Sequence, residues 1–472
     1  MATRRRRGMY RFGGWLGVAA SALLVLPALS PGRRAPASVA AVRTPAATFG
    51  VQDGSVNVCD AKETDASQPK YAGDLAVVSS PFFAPLGDRN VRFSPPWDVA
   101  NPSVVHRGKS PAETEARDIL RVEKACLSYW LSVVHQYGLT PEVAFKPDYN
   151  YVVKNRQGQL EIAVPSLATY RSAVQSFVDQ YVNGSCRATT CPLAPRSPGI
   201  AAYPAGAGPM ARVRIISPWG EPDDPAGSLG GKSGFRGLPQ QFHLATTPSV
   251  DFGGSRCARP TDSRTCGPAL AAGMWDLIHA ACGATCNPSS GGAVIAGDFG
   301  PYHHFKVRHP GYLDTYARNL IPRPQVWALH PYATLAAYEN AYAAGKTLPP
   351  GQTDVGRFAS RLDELGYHSG SQIWMNEQGA GPTPSRAAQA AAGRYLLTEL
   401  VKAGSPANPG RPRVTRAYYY NYGVPEDRDS MIVGISAANP TGSSTPLYCA
   451  FVLRAGNPMH PKHCTPTLPP GQ

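Results

Sequence analysis

The chain has 472 residues with 46 Lys and Arg against 32 Asp and Glu, a net charge of +14. Its length allows one large domain with long loops. Seven of the arginines lie in residues 1–40, which carry no acid, so the rest of the chain carries only +7. That remainder has no Lys/Arg run and no alternation of basic and aromatic residues, which argues against a nucleic-acid partner. Anionic polymers of a cell surface stay compatible with it.

Reading along the chain, Arg4, Arg5, Arg6, Arg7 and Arg11 precede an apolar run from Gly13 to Leu29, followed by Pro31 and small residues through Ala41. Charge, apolar core and small residues in that order predict a secretory signal over 1–40. The run is close to the ~20 residues of a membrane span, so an uncleaved N-terminal anchor is the alternative, and the sole membrane association expected. Arginines retained inside would place everything after Pro31 outside the cell. Residues 41–70 are rich in Ala, Pro and Ser and read as a linker. The folded domain is expected over 71–472.

Within it, short β-rich runs alternate with amphipathic helical stretches, as in parallel strands joined by crossover helices. The strands are expected at Leu75 to Ser79, Val91 to Ser94, Val143 to Lys146, Val213 to Ser217, Ala293 to Ala296, Val326 to Leu329, Ile373 to Asn376 and Arg416 to Asn421. Helices are expected at Pro111 to Tyr137, Ser166 to Val182, Pro268 to Ala281, Val355 to Leu365, Ser385 to Lys402 and Thr445 to Leu453, from apolar residues at three- and four-residue spacing. Eight strands alternating with helices predict an α/β fold, a closed (β/α)8 TIM barrel, rather than an open sheet or a sandwich. The longest insertion, Asp223 to about Thr265, is crowded with Gly and Pro and belongs at the C-terminal face of the strands, where barrel sites form.

Ten cysteines in an exported chain predict disulfide-stapled loops. Sequence neighbours suggest Cys186 with Cys191, Cys257 with Cys266, Cys282 with Cys286, Cys449 with Cys464, and Cys59 with Cys126. A zinc site from Cys257, Cys266, Cys282 and Cys286 is the alternative, disfavoured by export and by the wide first spacing.

Two carboxylates stand where chemistry is expected. Glu221 follows the fourth predicted strand in Ile215-Ile216-Ser217-Pro218-Trp219-Gly220-Glu221-Pro222, and Glu377 closes the seventh in Ile373-Trp374-Met375-Asn376-Glu377. In a barrel those two strand ends face one another across one mouth. Glycosidic cleavage with retention needs such a pair roughly 5–5.5 Å apart, one attacking the anomeric carbon and one protonating the leaving oxygen. The two must differ in environment, the acid keeping a proton and the nucleophile staying ionised.

From Leu75 to Leu453 the chain resembles the clan A retaining glycoside hydrolases, whose acid/base and nucleophile are glutamates ending barrel strands four and seven. Glu221-Pro222 matches the family's Asn-Glu-Pro, with Gly220 where the family has the Asn that bonds the sugar 2-hydroxyl. Glu377-Gln378-Gly379 matches its Glu-aromatic-Gly, with Gln378 in the aromatic position. The resemblance implies Glu221 as acid/base and Glu377 as nucleophile. It further implies His330 and Tyr332, from His330-Pro331-Tyr332, as site residues with the Tyr bonding the nucleophile, and Arg92 as the arginine that keeps the nucleophile ionised. Tyr420, within Tyr418-Tyr419-Tyr420, falls where an aromatic sugar platform is common.

Taken singly, Arg92 and His330 read as an ion-paired rim residue and a hydrogen-bonded core histidine. Trp219 is the best sugar-contact tryptophan because it precedes Glu221. Asp298, in Gly297-Asp298-Phe299-Gly300 with Tyr302, His303 and His304 after it, reads as a substrate-lining or exposed loop rather than a metal site. Asp98, Asp223 and Asp224 read as rim acids. No Gly-x-Ser-x-Gly elbow supports a serine nucleophile. The expectation is therefore an exported retaining glycosidase acting on a carbohydrate, with no cofactor and no metal. A barrel that only binds a polysaccharide is the alternative.

Overall fold

The protein is described from a computed structural model. The described residues are 47–52, 82–87, 89–101, 111–146, 148, 152–154, 160–162, 165–185, 209–223, 266–302, 311–368, 370–379, 385–402, 413–420, 431–433, 443–454 and 464. They belong to one compact unit spanning Thr44–Gln472. The basic leader, the strand expected at Leu75 to Ser79 and the insertion from 224 to 265 lie outside the described residues. Among the described residues no helix is long and apolar enough to cross a membrane.

The chain opens with β1 (Thr48–Gln52), β2 (Asn90–Phe93), α1 (Pro111–Gln136), β3 (Thr140–Ala144) and a small hairpin of β4 (Val152–Lys154) and β5 (Leu160–Ile162). It continues through α2 (Leu167–Phe177), β6 (Ile215–Ser217), α3 (Cys266–Cys282), β7 (Ala293–Val294), β8 (Ala296–Phe299), α4 (Tyr312–Asn319), β9 (Val326–Leu329), α5 (Tyr332–Ala343) and α6 (Asp354–Glu364). It closes with β10 (Gln372–Gln378), α7 (Arg386–Thr398), β11 (Val414–Tyr420), a second small hairpin of β12 (Ile432–Val433) and β13 (Ser443–Ser444), and α8 (Pro446–Val452). Serine or threonine caps mark four helix starts: Ser166, Thr353, Ser385 and Thr445 each accept a backbone N–H of the first turn.

The main sheet runs β7-β6-β3-β2-β1-β11-β10-β9-β8, and every pairing in it is parallel. Its two end segments, β7 and β8, are separated only by Ile295, whose N–H reaches Ile216 O at 2.9 Å. They are two halves of one strand, the first paired to β6 and the second to β9. The sheet therefore meets itself, and nine segments make the eight strands of a (β/α)8 barrel.

The first strand corrects the expected boundaries. β1 lies inside the segment read as a linker, so the barrel begins about 25 residues earlier than the Ala/Pro/Ser composition suggests, roughly one strand-and-loop unit. Its identity is set by its neighbours, because it bonds β2 on one edge and β11 on the other. Gly50 permits this packing: a Cβ there would lie 2.7 Å from Asn90 O and from the Tyr418 ring.

Strand alternation sorts side chains into two environments. Ile215, Ala293, Ile295, Val326, Ala328 and Trp374 fill the lower barrel interior. Ile216, Trp327, Leu329 and Met375 point outward into the layer packed by the helices. Above the apolar floor the interior becomes polar, and there the site is built.

Cys282 is bonded to Cys286 and Cys449 to Cys464, as expected. The first bond removes two ligands from the zinc alternative. Cys126 is disulfide-bonded as well. Cys59, Cys186, Cys191 and Cys257 lie outside the described residues.

Candidate active site

The polar layer starts with Arg92, which β2 turns into the barrel and which is 1 % exposed. Its Nε donates to Glu142 Oε1 at 3.1 Å, its Nη2 to Asp298 Oδ2 at 2.6 Å and its Nη1 to Glu377 Oε1. One guanidinium thus joins strands three, five and seven, a use of its planar fork that a lysine could not reproduce. His330, at the end of β9 and also 1 % exposed, bridges two acids. Nδ1 lies 2.8 Å from Glu221 Oε1 and Nε2 lies 2.9 Å from Asp298 Oδ1. Tyr332, the first residue of α5, donates its hydroxyl to Glu377 Oε2 at 2.9 Å.

Both glutamates at the mouth are partly open to solvent. Glu221 and Glu377 are 19 % and 18 % exposed, against 0 % for both Glu142 and Asp298. One oxygen of each glutamate and one nitrogen of His330 all lie within 4.8 Å of one another. Two partly open carboxylates therefore face each other at the mouth, on a buried lattice of opposite charge.

Local backbone irregularities aim these groups. Between Met375 and Gln378, β10 advances three residues while β11 advances two. The extra residue is a bulge that lets both Asn376 and Glu377 serve the interior, where strict alternation would send one outward. Asn376 Nδ2 donates to Glu142 Oε1 and to Asp298 Oδ1, both at 2.8 Å. A second bulge, between Gly297 and Phe299, leaves Asp298 without a partner position on β9. Asp298 and Glu221 have φ of 62° and 49°, the left-handed region. Glu221 N–H donates to Asp298 O at 2.8 Å, so the two strained residues hold each other. Such a conformation costs on the order of 1–3 kcal/mol per residue and persists where surrounding structure over-determines it.

The electrostatics follow from burial and pairing. Burial opposes charge on His330, but the carboxylates of Glu377 and Asp298 outweigh it and hold the imidazole protonated well above the ordinary histidine range. Burial also opposes ionisation of Asp298, yet Arg92 and His330 pull its carboxyl well below the usual carboxylate range. Burial pushes the Glu142 carboxyl up to about 7 against the pull of Arg92. Arg92 stays protonated despite its burial, because Asp298, Glu377 and Glu142 surround it. Among the described residues, Glu221, His330 and Glu377 form the one group close enough to hold a metal ion. Both nitrogens of His330 are already engaged there, Nδ1 with Glu221 and Nε2 with Asp298.

The structure brings together Glu221, Glu377, Arg92, His330 and Tyr332. Trp219 is 2 % exposed and belongs to the core cluster, so its ring is covered by protein rather than presented at an open mouth. Tyr420 ends β11, and its side chain lies outside the described residues. Asp298 is fully buried rather than an exposed loop residue, because its bulge turns it inward. Asp98 and Asp223 are buried too, not rim acids; Asp223 Oδ1 accepts Gly300 N–H at 2.8 Å and ties the loop after Glu221 to the end of β8. Asp224, His303 and His304 lie outside the described residues.

Three network members carry no signal strong enough to read in advance. Glu142 falls just before the predicted third strand, Ser217 looks like an ordinary strand-end serine, and Asn376, two residues after the inward Trp374, looks like an ordinary strand asparagine. Ser217 Oγ donates to Asp298 Oδ2 at 2.8 Å. A charged residue inside a β-rich run was the one available hint for Glu142.

Fold and site define a (β/α)8 barrel with two facing glutamates at its mouth. No protein-family model and no curated protein matches the chain. Among solved structures it is similar to a GH5-4 broad-specificity endoglucanase from Clostridium acetobutylicum, at 12% identity and TM-score 0.45, covering 87% of this chain and 96% of that one. It is also similar to the β-glycosidase of Thermosphaera aggregans, at 12% identity and TM-score 0.44, covering 87% and 95%. A third is the GH26 endo-β-1,4-mannanase catalytic domain of Bacillus sp. JAMB-750, at 12% identity and TM-score 0.41, covering 86% and 85%. These structural neighbours are glycoside hydrolases.

Proposed function

We propose that the protein is an exported retaining glycoside hydrolase acting on a carbohydrate, with Glu377 as nucleophile and Glu221 as acid/base. The observation that carries this reading is the pair of partly open carboxylates with oxygens within 4.8 Å of each other and unlike surroundings. Glu377 receives the Arg92 guanidinium and the Tyr332 hydroxyl, both of which favour its ionised form. Glu221 receives neither, and His330 Nδ1 lies 2.8 Å from its Oε1.

In the first step Glu377 attacks the anomeric carbon while the proton of Glu221 passes to the departing glycosidic oxygen, giving a glycosyl-enzyme. Arg92 holds Oε1 and Tyr332 holds Oε2 of Glu377, so whichever oxygen attacks, the other keeps its donor. In the second step Glu221, now ionised and supported by His330, takes a proton from water, which releases the sugar with its configuration retained. Disulfides at Cys282–Cys286 and Cys449–Cys464 are in keeping with export to an oxidising compartment.

The test is the anomeric configuration of the first-formed product, followed by NMR on a glycan or aryl glycoside that the protein cleaves. Retention is expected, with Glu377→Gln reducing turnover to background. An inverted product would remove Glu377 from the nucleophile role.

A further inference from the structure

We infer that Asp298 is the positioning residue that keeps Glu221 and Glu377 in mutual register, by anchoring one cation beneath each of them. The inference rests on the glycosidase reading above for what the two glutamates do. Four donors converge on this one buried carboxylate. Oδ1 accepts from His330 Nε2 at 2.9 Å and Asn376 Nδ2 at 2.8 Å; Oδ2 accepts from Arg92 Nη2 at 2.6 Å and Ser217 Oγ at 2.8 Å.

Two of those donors are relays. His330 reaches Glu221 with its other nitrogen, and Arg92 reaches Glu377 with another arm of its fork. A third link is through the backbone, where Asp298 O accepts the Glu221 N–H. Asp298 touches neither glutamate with its side chain, yet each is held by a group that it holds.

Its placement is built rather than incidental. Gly297 at φ 91° and Asp298 at φ 62° form the bulge that turns the carboxylate inward. A bulky residue at 297 is barred, because a Cβ there would lie 2.4 Å from the Phe299 ring. An acid that merely neutralised buried cations could sit on any inward strand position. This one is locked to the backbone of the acid/base residue itself.

Asp298→Asn is the informative variant, since asparagine fills the same space and tolerates a left-handed backbone. The first readout needs no substrate. The charged groups facing His330 are Glu221, Asp298 and Glu377, and removal of one of those charges should lower the His330 NMR titration midpoint by at least about one unit. His330→Gln assigns the resonance. The second readout uses whichever member of a 4-nitrophenyl glycoside panel the wild type hydrolyses. There kcat should fall roughly a hundredfold with KM changed less than about threefold, because the glutamates are displaced while the sugar contacts remain.

An unchanged His330 midpoint overturns the inference, as does a shifted midpoint with wild-type kcat. If Asp298→Asn does not fold, Ser217→Ala removes one donor from the same carboxylate while keeping its charge, and should lower kcat roughly tenfold with KM changed less than about threefold; wild-type kcat there also overturns it. Failure of the wild type to hydrolyse any glycoside counts against the glycosidase reading, and the histidine titration then decides the positioning role alone.

Discussion

Glu142 lies in the floor of the network, with Oε1 3.1 Å from Arg92 Nε and 2.8 Å from Asn376 Nδ2. Burial raises its carboxyl from an ordinary 4.5 to about 7. Between those two values the folded protein keeps a proton that the unfolded chain has lost, so this group's contribution to stability is full below 4.5 and is lost as pH rises toward 7. Glu142→Gln should flatten the fall in stability across that window, measured by urea unfolding at a series of pH values; an unaltered slope would count against the assignment. Asp298 has the opposite sign. Its depressed folded value contributes stability above the usual carboxylate range that is lost as pH falls through the folded value, so acid unfolding of Asp298→Asn should begin from a less stable state and show a shallower acid limb. At Tyr332 the prediction concerns rate. A hydrogen bond to a charged group contributes about 1.5–3 kcal/mol, so Tyr332→Phe should lower kcat roughly ten- to a hundredfold while leaving the fold unchanged by circular dichroism.

The strands and helices show where sequence patterns suffice. β9 has the bounds its apolar run predicts, and α1 and α6 match their predicted stretches to within a residue or two. Apolar residues at the right spacing, ended by Ser/Thr caps or by Gly and Pro, carry that information locally. α4 and α5 stand where the sequence pattern predicts no helix, and α5 has hardly any amphipathic pattern because alanine covers it on several sides. β1 was also missed, since five residues in an Ala/Pro-rich stretch have too little pattern to distinguish them until β2 and β11 supply bonds on both edges. That dependence yields a test. Gly50→Ala brings a Cβ against Asn90 O and the Tyr418 ring, and such overpacking costs about 1–3 kcal/mol, read as a lower urea midpoint at unchanged m-value.

At the level of the full barrel, covalent staples and ring closure bind distant parts together. The Cys449–Cys464 bond closes a loop of sequence separation 15 between α8 and the tail. A loop near that length contributes about 3 kcal/mol by restricting the unfolded chain. Replacing both cysteines with serine should lower the thermal midpoint by several degrees, whereas replacing Cys282 and Cys286, separated by 4, should cost less. Equal losses would argue that strain or packing, not loop closure, sets the effect.

Residue order was enough to reveal alternation of strands and helices, hence a barrel, and to place Glu221 and Glu377 at two strand ends on one rim, because period and strand direction are local properties. It could not reveal Glu142, Ser217, Asn376 or the inward turn of Asp298. That they meet depends on register between strands remote in the chain, and the turn of Asp298 on an extra residue that breaks that register. Hydrogen bonding around a closed ring fixes both, and no window of neighbouring residues contains that information.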